Sequence, residues 1–253
     1  MSNKDTANFK NKVAIITGSA TGMGKATREL LAAKGCKVYG FDIQSFKDDK
    51  SIFVKCDVRK YENVKKAVQK VFKKEGKIDF LFANAGIHLF AGIEDTSLEQ
   101  FENILGINLK GIFYTLKEVL PIMRKQKSGS IVLMGSDQVF IGKGKSAVYG
   151  LTKGAIGQLT KSTAIDYAQY NIRVNCICPG TIDTPLVHNT VKYFSQISKT
   201  PEKDIYESLK NSQPIKRLGE PIEIARVVAF MLSDEASFMT GSLVSVDGGY
   251  VCQ

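Results

Sequence analysis

Apolar residues along this chain gather in short continuous runs, with longer amphipathic stretches between them. The runs are Lys12-Val13-Ala14-Ile15-Ile16-Thr17, Lys37-Val38-Tyr39-Gly40-Phe41, Ser51 to Cys56, Ile78-Asp79-Phe80-Leu81-Phe82, Ser130-Ile131-Val132-Leu133-Met134-Gly135, Ile172-Arg173-Val174-Asn175-Cys176-Ile177 and Ser242 to Val246. Such runs suit strands buried on both faces, as in a parallel sheet. Helical patterns lie between them, over Lys25 to Lys34, Tyr61 to Lys74, Leu98 to Met123, Ala147 to Tyr167 and Ile222 to Leu232. Strands alternating with helices predict an α/β fold. Two gaps break the rhythm. Asp42 to Ser51 is too short for a crossover, which needs at least about 10–12 residues, so a loop or one helical turn is expected there. Leu186 to Leu218 is irregular and polar with interspersed aromatics, Tyr193, Phe194 and Tyr206. It reads as a mobile lid over a substrate or as a plain surface insertion. No internal repeat or low-complexity segment interrupts residues 1–253, which read as one domain.

The first strand breaks at once into Gly18-Ser19-Ala20-Thr21-Gly22-Met23-Gly24. Strand, glycine turn and helix make a nucleotide-binding unit: glycine lets the backbone approach a pyrophosphate, and the helix N-terminus offers free N–H groups and a positive dipole end. The spacing is G-x-x-x-G-x-G rather than G-x-G-x-x-G, so the usual fingerprint is not met literally. The second strand ends at Asp42, 24 residues beyond Gly18. A carboxylate there accepts hydrogen bonds from ribose hydroxyls and repels a 2′-phosphate, which favours NAD over NADP. The absence of a basic residue at Thr21 points the same way, while Lys47 points the other; Asp42 as a simple turn residue is the competing reading. Asp57-Val58 closes the third strand, where the carboxylate would meet an adenine amino group or cap the next helix. Ala83-Asn84-Ala85-Gly86 leaves room for a flat ligand at the fourth strand end. Asn108, inside an apolar helical run, is disfavoured unless it has a special task, such as a kink with bound water that relays protons.

Ser146-Ala147-Val148-Tyr149-Gly150-Leu151-Thr152-Lys153 is the segment the chemistry points to. On a helix, Tyr149 and Lys153 share one face within a turn. A free phenol has a pKa of about 10, and a nearby ammonium favours its phenolate, which would make Tyr149 a general acid/base. Ser136, thirteen residues before Tyr149, sits at the end of the fifth apolar run, at the carboxyl edge of the sheet where ligands bind. Cys178-Pro179-Gly180-Thr181-Ile182-Asp183-Thr184-Pro185 ends the sixth strand at the same edge.

Composition narrows the possibilities. At 253 residues and 43% hydrophobic content the chain can bury a sizeable core. No apolar run is long enough to span a bilayer, and Met1 to Asn11 is polar without an apolar signal core, so a soluble cytoplasmic protein is expected. The net charge is +10, but the lysines are spread and mixed with Glu62 and Glu75, which reads as a solvated surface rather than a nucleic-acid site. Five cysteines, with Cys176 and Cys178 read as pointing to alternate faces, suggest neither a disulfide framework nor zinc. Two histidines are too few for a histidine-rich site, and no metal is expected.

Thr17-Gly18-x-x-x-Gly22-x-Gly24, Asn84-Ala85-Gly86, Asn108, Ser136, Tyr149-x-x-x-Lys153 and Pro179-Gly180, in that order, closely resemble the short-chain dehydrogenase/reductase family from Lys12 to Tyr250. The resemblance implies one doubly wound, Rossmann-type domain with a seven-stranded parallel sheet, commonly in a homotetramer. It implies that Tyr149 exchanges the substrate proton, Ser136 positions the oxygen, Lys153 holds the nicotinamide ribose and tunes Tyr149, and Asn108 completes a proton relay. The cofactor would lie against Gly18, Thr21, Gly22, Met23, Gly24, Asp42, Asp57, Val58, Asn84, Ala85, Gly86, Tyr149, Lys153, Pro179 and Gly180, with Thr184 at the carboxamide. Ala83-Asn84-Ala85-Gly86 departs mildly from the usual pair of successive asparagines.

For substrate, Gly135 to Gln138 and Cys176 to Leu186 look similar to members acting on short hydroxy acids and deoxy-keto sugar acids. The arginines that hold a carboxylate in such enzymes are not evident, and Lys143, Lys145, Lys192 and Arg217 are candidate substitutes. Gln138, His88 and His188 are candidate pocket residues. A 3-oxoacyl-thioester reductase working on an acidic carrier protein is the competing enzyme, and a non-catalytic NAD-binding scaffold the competing class; Asp42 speaks against the first and the complete Tyr149–Lys153 pair against the second.

Overall fold

The computed structural model describes residues 9–253, so the reading of the N-terminal stretch falls, but for its last three residues, outside them. Strands β1 (Val13–Thr17), β2 (Lys37–Asp42), β3 (Ser51–Lys55), β4 (Phe80–Ala83), β5 (Gly129–Met134), β6 (Ile172–Pro179) and β7 (Leu243–Val246) form one sheet. All pairs are parallel and the order is β3-β2-β1-β4-β5-β6-β7. The helices are α1 (Gly22–Ala33), α2 (Tyr61–Glu75), α3 (Leu98–Leu105), α4 (Gly111–Gln126), α5 (Ala147–Ala168), α6 (Pro185–Ser198), α7 (Glu202–Ser212) and α8 (Pro221–Leu232).

The continuous apolar runs are explained by two cores. Val13, Ile15, Leu81, Ile131 and Val174 face the layer of α2, α4 and α5, while Ala14, Ile16, Phe82, Val132 and Ile177 face α1 and α8. Because side chains alternate along a strand, both parities must be apolar when both faces are covered. Burying each Ile or Val gives roughly 1.5–3 kcal/mol. Strand order reverses between β1 and β4, and that switch point opens a crevice at the carboxyl ends of the strands.

Between β2 and β3 the chain forms a loop without a helix. Arg28, buried on α1, anchors it: the guanidinium stacks 3.7 Å from the Phe46 ring, donates to the Ser19 carbonyl at 2.7 Å and pairs with Asp48 at 3.2 Å. The long helical pattern at Leu98 to Met123 is not one continuous α-helix. Gly106–Lys110 widens into a π-helical turn that carries Asn108, the irregularity its polar side chain foreshadowed. The segment 186–218 is not irregular either. It folds as α6 and α7, with Thr184 accepting from the Val187 N–H at 3.4 Å and Pro185 at the first helical turn. Cys176 and Cys178 lie on the same face of β6, as residues two apart in a strand must, with their sulfurs 3.7 Å apart. None of the described helices is long and apolar enough to cross a membrane.

Candidate active site

A cavity of about 610 Å³ follows the crevice from the β1–α1 turn to α6. Gly18, Thr21, Gly22 and Met23 line one end, and Asp42, Asp57 and Val58 lie beside them. Gly18 and Gly22 take φ of +64° and +54°, which glycine adopts without strain. Gly24 is hidden beneath: a Cβ there would stand 2.0 Å from the Gly18 carbonyl oxygen. The Asn84 amide fastens this turn to β4 by donating to the Thr17 and Gly18 carbonyls at 3.0 and 2.8 Å. Asp42 lines the cavity and is held by the Ala20 and Gln44 N–H groups, both at 2.9 Å; the second is an Asx-turn bond, so the residue shapes the turn as well as the cavity wall. Asp57 does not cap α2, whose N-cap residue Lys60 makes no side-chain cap bond; its carboxylate is gripped by Arg59 at 2.8 Å and held below the usual range by that contact. Arg59 and Asn103, which sequence reasoning passed over, also line this end.

Ala85, Gly86, Ser136, Tyr149, Lys153, Pro179, Gly180 and Thr184 are brought together at the middle of the cavity. Tyr149 and Lys153 stand on α5, with the ammonium 5.5 Å from the phenol ring centre. The Lys153 ammonium donates to the Met134 carbonyl at 2.8 Å, and burial pulls its pKa down to about 8. The sequence led us to expect a phenol made more acidic by Lys153. In the protein alone, burial pushes Tyr149 up to about 12 against the lowering effect of a hydrogen bond from Ser136, with Asp137 adding to the rise.

Asn108 is fully buried and does not line the cavity. Its side chain is taken up by Ile87, accepting from that N–H at 2.8 Å and donating to its carbonyl at 2.9 Å, and it also donates to Thr152 at 3.2 Å. It braces the backbone of Ile87, the residue before His88 in the cavity wall, and its part in a proton relay stays an expectation from the resemblance. His88 and Gln138 do line the cavity, whereas His188 does not: it is half-exposed and paired with Asp183 at 2.5 Å. The His88 ring lies 4.5 Å from the Tyr149 ring, and burial lowers its pKa to about 4, leaving a neutral imidazole at neutral pH. The remaining wall is largely apolar, with Phe90, Ile182, Leu186, Val191 and Leu209, and Phe90 meets Phe194 of α6 edge-on at 5.1 Å. Among the described residues no group of three or more His, Cys, Asp or Glu could hold a metal ion.

A nicotinamide dinucleotide fits these residues. Glycine leaves the space its phosphates need, the first turn of α1 carries no acidic side chain, and Asp42 stands where a ribose would end.

Comparison with known proteins gives the same answer. A family profile described as enoyl-(acyl carrier protein) reductase matches residues 18–251. The chain is 36% identical to the levodione reductase of Leifsonia aquatica, covering 96% of each chain, and 36% identical to a 3-oxoacyl-[acyl-carrier-protein] reductase of Thermotoga maritima, covering 96% of this chain and 99% of that one. The ligand-free aldohexose dehydrogenase of Thermoplasma acidophilum superposes with a TM-score of 0.92 at 35% identity, over 98% of this chain and 96% of that one. With motifs, sheet order and relatives in agreement, this chain belongs to the short-chain dehydrogenase/reductase family and is an oxidoreductase of secondary alcohols and ketones.

Proposed function

We propose that the protein is an NAD(H)-dependent dehydrogenase of a small, neutral hydroxy compound, with Tyr149 as acid/base. The observation that carries this is the Ser136–Tyr149 pair on the wall of a cavity that runs from a glycine turn closed by Asp42. Bound there, the cofactor supplies the ring that accepts or returns hydride. As the alcohol carbon is oxidised, Tyr149 takes the hydroxyl proton, Ser136 bonds the substrate oxygen and the Lys153 ammonium favours the phenolate. Thr184, at the N-terminus of α6, faces the cofactor end of the cavity and holds the helix that covers it. We read α6 and α7 as the lid, and the assembly as a homotetramer by analogy with the family.

The chemistry of the wall shifts the substrate away from an acid. Lys143 is tied to Asp137 at 2.6 Å and Arg217 to Glu223 at 2.7 Å, while Lys145 and Lys192 do not line the cavity. Gln138, His88 and Ser146 offer neutral hydrogen bonds among apolar neighbours, which suits a cyclic or polyhydroxy alcohol better than a carboxylate. Levodione and aldohexoses, for which two similar proteins are named, are of this kind. A 3-oxoacyl thioester is the second reading, favoured by the Thermotoga relative and by the net charge of +10, which suits an acidic carrier.

The test is nicotinamide absorbance with a panel of cyclohexanediols, aldohexoses, 3-hydroxybutyrate and an acetoacetyl thioester, each with both cofactors. Turnover of the neutral alcohols with NAD supports the proposal. Turnover confined to the thioester with NADPH replaces it with the second reading, and inactivity throughout rejects both. Asp42 gives a separate prediction. NADPH should bind at least tenfold more weakly than NADH in fluorescence titration, because like charges brought together cost on the order of several kcal/mol. Asp42→Ala should narrow or reverse that ratio. Equal affinities in the wild type would remove the case for NAD.

A further inference from the structure

The Ser136 hydroxyl carries one proton and has two claimants. On one side Asp137, 3% exposed, accepts it at 2.8 Å, and a carboxylate can only accept. On the other lie the Tyr149 phenol and the reacting oxygen. With a single proton the serine cannot donate to both claimants at once, and the Gln138 N–H, donating at 3.2 Å, takes up one of its lone pairs. Hydrogen bonding from Ser136 lowers the Tyr149 pKa, whereas the Asp137 charge raises it. The help Ser136 gives Tyr149 thus depends on prising its proton from Asp137, since a hydrogen bond to an ionised acceptor is roughly twice as strong as a neutral one.

Lys143 acts on this contest. Its ammonium meets the other oxygen of Asp137 at 2.6 Å and lies 4.3 Å from the centre of the Tyr250 ring, which pins it from the C-terminal turn. We propose that Lys143 is a positioning residue for the catalytic serine: by countering the Asp137 charge it frees the Ser136 hydroxyl to turn toward Tyr149 and the substrate oxygen. The remaining charged or titratable groups around Tyr149 are Lys153 on its own helix and His88 on the loop after β4, with Cys176 and Cys178 of β6 acting on Lys153. Of these, His88 feels the Asp137 charge but is neutral, and among the described residues Lys143 is the cation that pairs with Asp137, so it is the one placed to neutralise it.

This rests on the proposed dehydrogenase, so the test has one arm that needs no substrate. In the full-length protein with NAD added, tyrosine labelled with carbon-13 at Cζ is titrated by NMR, and the Tyr149 signal is assigned by its loss in Tyr149→Phe. Lys143→Met should raise the Tyr149 midpoint by about one unit. Lys143→Arg should leave it near wild type, and Asp137→Asn should lower it. In Asp137→Asn/Lys143→Met the rise should vanish. In the second arm, the acid limb of kcat/KM for the best alcohol of the panel should move with the midpoint, and Lys143→Met should lose about tenfold at neutral pH, where one unit of pKa is a tenfold loss of phenolate. A pair that only braces the loop would lower the melting temperature of Lys143→Met without moving midpoint or limb, and that result overturns the proposal. So does a double variant as shifted as Lys143→Met. Should no alcohol be turned over, the dehydrogenase reading fails while the titration still decides the role of Lys143.

Discussion

Tyr149→Phe is expected to lower kcat for alcohol oxidation by about 10²–10⁴-fold, the usual weight of a positioned general acid/base, with the affinity for NADH within about twofold of wild type. The split follows from where the oxygen sits. The change removes one atom, on the cavity side of the residue, and the ring that packs beside His88 stays. The glycine turn, Asp42 and Lys153 are untouched, and Lys153 keeps its bond to the Met134 carbonyl. What disappears is the group we propose to exchange the proton with the substrate oxygen. Because the phenol of the protein alone stands near 12, the wild-type oxidation rate should climb with pH through the neutral range, whereas residual activity in Tyr149→Phe should lose that dependence. Single-turnover kinetics and NADH fluorescence titration measure both halves. A variant that keeps a tenth or more of wild-type kcat would remove Tyr149 from the chemistry. Loss of cofactor affinity in step with kcat would make the residue a binding group instead.

The strands, the glycine turn and the meeting of Ser136, Tyr149 and Lys153 were legible because each is written in local pattern. Val13 to Thr17 is apolar at both parities, and Tyr149 and Lys153 share a face through helical spacing alone. What was illegible depends on contacts made across the fold. The turn at Gly106–Lys110 widens where Asn108 reaches the backbone of Ile87, twenty-one residues away. α6 and α7 bury little, with Val191 and Ile205 their only buried residues, so their apolar spacing is sparse and reads as irregular. His188 was misplaced because its position on α6 carries it to Asp183 and solvent, a matter of helix phase. The direction of the Tyr149 shift escaped for a different reason: sequence spacing shows the neighbouring cation but not the burial that sets the direction. Lys143 stood out only as a spare cation, since nothing in a spacing of six residues announces that its chain folds back on Asp137.

Gly24→Ala should destabilise the protein by about 3 kcal/mol or more, the upper end of overpacking costs, which corresponds to a fall in Tm of roughly 6–12 °C for a chain of this size. The added methyl would fall 2.0 Å from the Gly18 carbonyl oxygen, 2.9 Å from its carbon and 2.6 Å from the Asn84 amide nitrogen. Two of these are backbone atoms, so no rotamer change relieves the clash. Nor can Gly18 retreat freely, because its own Cα already stands so close to Ala85 that a Cβ there would meet the Ala85 Cα at 2.7 Å. The cheapest response is withdrawal of the first turn of α1, which breaks the bond from Asn84 to Gly18 and moves the N–H groups that a pyrophosphate needs. NADH affinity should therefore fall by about tenfold or more together with Tm. Gly154→Ala is the matched control: nothing lies within 4 Å of its added methyl and it sits inside α5, so it should gain roughly 0.5–1 kcal/mol. Differential scanning fluorimetry and NADH titration of the two variants decide the matter. If Gly24→Ala melts with the wild type and binds NADH as tightly, the close approach of α1 to the β1 turn does not hold the cofactor cradle in shape.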